Sequence, residues 1–126
     1  MKKLLTLALS LMFSGSVVSA EYPDISIAEL KKAIEEKKVT VIDVNGATSY
    51  SKGHVPTAIN FAEAKDNLAS KLPADKSSLV VAYCGGPSCS AYTRAANAAK
   101  ELGYTNVKHL SAGISGWLQA GEKTEK

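Results

Sequence analysis

Apolar residues recur along this chain in two alternating rhythms. Val39-Thr-Val-Ile-Asp-Val44, Leu79-Val-Val-Ala-Tyr83 and Val107-Lys-His-Leu110 are short apolar runs, rich in β-branched residues. They predict buried strands, with Ala58-Ile-Asn-Phe61 as a further short one. Between them the spacing turns helical. Ile27, Leu30, Ala33 and Ile34 form a stripe behind Ser26-Ile-Ala-Glu29, which fits a capping box. Glu63 to Leu72 reads as a helix stopping before Pro73, and Ser90 to Leu102 as a strong one with Gly103 at its C′ position. A short polar helix is expected over Thr48 to Lys52, after the Asn45-Gly46 turn, and a last one over Ile114 to Ala120 carrying Trp117. Alternating strands and helices imply an α/β fold: a parallel sheet of about five strands with helices on both faces.

In such sheets ligands bind beyond the carboxyl ends of the strands, where Asp43, Cys84 and Ser111 fall. The stretch Tyr83-Cys84-Gly-Gly-Pro-Ser-Cys89-Ser90 takes the chain from a strand through a tight loop into a helix. Inward N–H groups of Gly85, Gly86, Ser88, Cys89 and Ser90, together with the helix N-terminus, favour the thiolate form of Cys84. Gly85 and Gly86 are expected to supply the positive φ angles of this cradle, and Pro87 to stiffen it. The hydroxyls of Ser88 and Ser90 can add donors, although Ser90 is also a natural N-cap.

Composition narrows the picture. Lys2 and Lys3 precede an apolar run from Leu4 to Phe13, and Val18-Ser-Ala20 has a small-x-small ending. Residues 1–20 are therefore expected to be a signal peptide cleaved after Ala20, with an uncleaved tether as the alternative. The run is too short to span a bilayer, so no stable membrane anchor is expected, and the destination is periplasmic or secreted. One domain over residues 21–120 and a frayed polar tail over 121–126 remain. The 15 basic and 12 acidic side chains nearly cancel once Lys2 and Lys3 are set aside, which argues against a nucleic-acid partner. Both of the chain's 2 cysteines lie in the exported part. A bridge closing so short a loop stabilises by only about 2 kcal/mol, so a reactive pair is the better reading of Cys84 and Cys89 than a structural staple.

Taken in order, Ile25-Ser26 to Leu30, Val41-Ile-Asp43-Val44, Tyr50-Ser-Lys-Gly53-His54-Val55-Pro56-Thr-Ala58-Ile59-Asn60, Tyr83-Cys84 with its loop, Ser90 through Ala95-Ala96 to Leu102-Gly103-Tyr104, Val107 and Ala112-Gly113-Ile-Ser-Gly-Trp117 resemble a single-domain rhodanese across nearly the whole exported part. The resemblance implies a sulfurtransferase in which Cys84 forms a persulfide. It has departures. Where rhodaneses commonly carry an Arg that helps bind thiosulfate, five positions after the nucleophile, this chain has Cys89. Asn45 replaces the usual Arg after the Asp-Val pair, and Ser111-Ala112-Gly113 the usual Glu-Gly-Gly. Losing a bidentate guanidinium weakens thiosulfate as the natural donor.

The expected partners are a small sulfur-containing donor, a thiol or cyanide acceptor, and a thiol reductant protein. No cofactor and no metal site are expected, because two cysteines and distant histidines do not make ligand pairs. Cys89 reads either as a residue that resolves the persulfide, releasing hydrosulfide, or as a small half-buried residue of the helix start. A thiol–disulfide redox protein using the same pair, and a non-catalytic binding module on this fold, are the alternative functions. Asp43 and His54 are expected to be mainly structural, His109 to be packed or exposed in its strand, and Arg94 to face solvent. Tyr92 and Trp117 read chiefly as packing residues, and Lys31, Lys32, Lys37 and Lys38 as a wet helix face.

Overall fold

Four strands run in one direction: β1 (Val39–Asp43), β2 (Ile59–Asn60), β3 (Leu79–Tyr83) and β4 (Asn106–His109). This computed structural model describes residues 22–126, so the expected signal peptide lies outside the described residues. The spatial order is β2-β1-β3-β4. The chain thus steps outward from β1 to β2, then restarts on the other side of β1, placing the topological switch point between β1 and β3. The sheet has four strands rather than about five. The nearest thing to a fifth is a single parallel bridge of Asp24 onto His109 at the β4 edge, held by Ile25 N–H to His109 O and His109 N–H to Pro23 O.

Residue alternation along the inner strands divides the core in two. Ile42, Val80, Ala82 and Val107 face α4 (Tyr92–Glu101) and the segment Leu68–Leu72; Val41, Val81 and Tyr83 face Leu30 of α1 (Ile27–Glu35) and Trp117 of α5 (Gly113–Gln119). Ala95, Ala96 and Ala99 are fully buried, and their small side chains let α4 lie close to the sheet. The capping box at Ser26 and Glu29 is present, and Gly103 ends α4 at φ +102°.

Three local expectations are revised. The helix expected over Glu63 to Leu72 is a single α turn, α3 (Phe61–Ala64), continued by a 3-10 segment Lys65–Lys71 that kinks at Asn67. Helix α4 begins at Tyr92 behind Ala91, with no side-chain cap. The N-cap position is Ala91, so the Ser90 hydroxyl does not cap the helix. The residues after α5 are not frayed. Glu125 pairs with His54 in both backbone directions, its carboxylate accepts from Thr57 N–H, and the Trp117 indole donates to Lys123 O at 2.8 Å.

His109 lies on the α4 side of β4, its ring stacked on Tyr92 with centroids 3.4 Å apart, and its Nε2 buried without a hydrogen-bond partner. Burial pulls the imidazole below its ordinary proton affinity, against a weaker upward pull from Asp24. The unfolded chain therefore binds the proton more readily, so stability is full above about pH 6.5 and is lost as pH falls from there toward the lowered folded value. Thermal melts at pH 7.5 and 5.5 are expected to show a loss on acidification that shrinks in His109→Phe. That variant keeps a stacked ring, and at pH 7.5 it should be at least as stable as wild type, because an orphaned polar atom is gone.

Candidate active site

The apolar run of β3 delivers Cys84 to the carboxyl end of an inner strand, beside the end of β1. Its side chain is joined to Cys89 in a disulfide, with Cα atoms 6.3 Å apart, and no described cysteine is free. The two sulfurs differ in setting. Cys84 is 1% exposed and belongs to the core, whereas Cys89 is half-buried on a crown whose neighbours Pro87, Ser88 and Ser90 are exposed.

The loop is held from below by the start of α5. Ile114 N–H donates to Cys84 O at 3.0 Å and Ser115 N–H to Gly85 O at 2.9 Å, while Cys89 N–H closes a turn onto Gly86 O at 3.1 Å. Among the described residues, the N–H groups of Gly85, Gly86, Ser88 and Ser90 donate to no protein acceptor. Free N–H groups on the loop that follows Cys84 are the kind of donor that can stabilise a sulfur anion. The expected strain in this loop is elsewhere, however. Gly85 and Gly86 have no positive φ, and a Cβ on either would meet nothing closer than 3.8 Å. The demanding glycine is Gly113, at φ +63°, whose missing Cβ would fall 2.5 Å from the Gly85 carbonyl carbon.

Behind the loop lies a buried hydrogen-bond chain that sequence reasoning only half found. The Tyr83 hydroxyl donates to Asp43 Oδ2 and accepts from Val55 N–H at 3.0 Å, and Asp43 Oδ1 accepts from Asn45 N–H at 2.7 Å. Asp43 is the structural residue expected; Tyr83 was legible only as a strand residue. The signal was available, since a carboxylate ending an apolar strand needs a buried donor. Burial first, and then the Asp43 carboxylate that takes its hydrogen bond, keep the Tyr83 hydroxyl protonated far above the ordinary phenol range. Tyr83→Phe leaves Asp43 and Val55 N–H without that partner and is expected to cost about 2 kcal/mol, read as a lowered urea midpoint at unchanged slope.

The other candidates fall outside the loop. His54 is buried, stacked on Tyr50 with centroids 3.6 Å apart and its Nδ1 2.8 Å from Tyr50 O, a packing role as expected. Arg94 is exposed on α4; Lys31 and Lys32 are exposed on α1, and Lys37 and Lys38 just beyond its end. Tyr92 packs on His109 and edge-on against Tyr22.

The site is thus a cysteine at the switch point of a parallel α/β sheet, followed by a loop leading into a helix. The rhodanese-like domain model matches residues 26–120, and the chain belongs to that family. Membership supports a function of the sulfurtransferase type in general terms. Over 110 residues the chain is 36% identical to an HTH-type transcriptional regulator of Mycobacterium tuberculosis, covering 86% of this chain but 47% of the regulator, about half its length. It is 29% identical over 104 residues to the thiosulfate sulfurtransferase GlpE of Shewanella oneidensis, covering 80% of this chain and 97% of that one. Among solved structures, the BH2092 protein of Bacillus halodurans superposes with a TM-score of 0.69 at 32% identity, covering 82% of this chain and 77% of that one.

Proposed function

We propose that this chain is an exported sulfurtransferase or persulfide carrier, periplasmic or secreted, that moves sulfane sulfur through a Cys84 persulfide. The Cys84 thiolate attacks the outer sulfur of a donor; the donor's sulfur–sulfur bond breaks and its remainder leaves with the electron pair. The N–H groups of Gly85, Gly86, Ser88 and Ser90, which have no acceptor among the described residues, are the donors that would hold the terminal sulfur anion. That sulfur then passes to a thiol or cyanide acceptor. Alternatively, the Cys89 thiolate attacks Cys84, hydrosulfide leaves, and the two cysteines are oxidised to the disulfide, which a thiol reductant must reopen.

The observation that carries this reading is the Cys84–Cys89 pair at the switch point, since a partner thiol stands where the family's Arg is expected. The same bond favours the second reading, a thiol–disulfide protein that handles no sulfane sulfur. Mass measurement separates them. Reduced Cys89→Ser protein, in which no second thiolate can resolve the persulfide, should gain one sulfur on Cys84 with thiosulfate or polysulfide under the first reading. Under the second it should gain none, while wild type only loses two hydrogens.

A further inference from the structure

The two sulfurs of the bridge present themselves unequally, and that inequality decides where a reductant can act. We propose that the disulfide is opened at Cys89: the thiolate of a reductant bonds to the Cys89 sulfur as a mixed disulfide, and Cys84 is the leaving sulfur. The inference rests on the reading of Cys84 as the sulfur-carrying nucleophile and adds the site at which the resetting thiol docks.

Access is the first reason. Thiol–disulfide exchange requires the incoming thiolate to reach one sulfur along the axis of the bond. Cys84 is packed among Ile42, Val44 and Ala82 with 1% of its surface exposed, so a thiol with any bulk cannot approach it. Cys89 is half-buried and flanked by exposed Pro87, Ser88 and Ser90, none of which carries charge or a large side chain. Cys89 packs partly against the core, but of the two it is the residue with surface open to a small thiol or the thiol of a partner protein. Leaving-group quality is the second reason. The departing sulfur takes the bonding pair and becomes a thiolate, and exchange is faster when that thiolate is stabilised. Cys84 leads directly into the loop whose Gly85, Gly86, Ser88 and Ser90 N–H groups have no acceptor among the described residues, so donors free to take up the departing thiolate lie on the adjoining chain.

The step balances. The thiolate–Cys89 bond forms as the Cys84–Cys89 bond breaks, and Cys84 leaves as thiolate. A second thiolate then attacks the reductant's sulfur in the mixed disulfide, releasing the Cys89 thiolate and an oxidised reductant. Two reductant thiols are oxidised and one protein disulfide is reduced. Cys84 is freed in the first half of the sequence, so the nucleophile can accept sulfur while the reductant still occupies the crown.

The test uses the wild-type chain oxidised with diamide and glutathione as the probe. Brief exposure, acid quench, iodoacetamide alkylation and fragmentation mass spectrometry assign each adduct. At the earliest quench times glutathione should be on Cys89 and carbamidomethyl on Cys84, by at least tenfold over the reverse assignment. Glutathione on Cys84, an even division, failure to form the bridge with diamide, or a bridge that glutathione does not open would each overturn the proposal. Sulfur loading of the fully reduced chain is measured separately. Adducts on Cys89 with no loading at Cys84 would uphold the docking site while removing the sulfurtransferase reading, and loading with adducts on Cys84 would do the opposite.

Discussion

Cys84→Ser is expected to abolish sulfur loading, with transfer from thiosulfate or polysulfide to cyanide falling at least about 10³-fold, because a serine hydroxyl neither attacks sulfane sulfur at neutral pH nor carries it afterwards. The substitution also deletes the Cys84–Cys89 bridge, which closes a loop of only five residues' separation and stabilises by about 2 kcal/mol. Loss of activity could therefore be confused with loss of fold. Cys89→Ser resolves this, since it deletes the same bridge and leaves the nucleophile. Both variants should melt at similar temperatures, while only Cys89→Ser gains one sulfur on incubation with donor. Cys89→Ser should also stop releasing hydrosulfide from the loaded form, since no second thiolate remains to displace it. A Cys84→Ser protein that loads sulfur as wild type does would remove this residue from the chemistry.

The elements that carry the site were legible because their signals are local. Leu79 to Tyr83 is an unbroken apolar run, Gly103 ends the following helix, and the cysteine between them falls at a strand terminus. What escaped prediction depends on neighbours distant in sequence. Ser90 has the side chain of an N-cap, yet the bridge to Cys89 ties down the preceding loop and α4 begins two residues later, behind Ala91. The tail residues Lys123 and Glu125 are polar and read as solvated, but their backbones complete hydrogen bonds for the Trp117 indole and His54. Asp43 was readable as structural, whereas its partner Tyr83 was hidden inside an apolar strand whose alternation sends that ring toward α5. Gly85 and Gly86 are the glycines beside Cys84, yet the conformational demand belongs to Gly113 further along the chain, because the loop rests against α5.

That demand makes Gly113→Ala the second large effect. At φ +63° an L-residue pays roughly 1–2 kcal/mol for left-handed backbone. The new methyl would also fall 2.5 Å from Gly85 C, 2.6 Å from Gly85 O and 2.6 Å from Gly86 N. All three are backbone atoms of the loop that begins at Cys84, so no side chain can swing away to relieve the overlap. Overpacking against backbone adds about 1–3 kcal/mol, for a total of about 2–5 kcal/mol. For a domain of this size that lowers the melting temperature by roughly 10 °C or more. Gly46→Ala separates the two contributions: its φ is +92° and a Cβ there meets nothing within 4 Å, so it carries the backbone strain without the contact. Gly46→Ala should therefore lose only about 1–2 kcal/mol and load sulfur normally. Gly113→Ala, in whatever fraction still folds, should load slowly, because it moves Gly85 and Gly86, the backbone next to Cys84. Equal melting temperatures for the two variants would mean that α5 does not hold this loop in place.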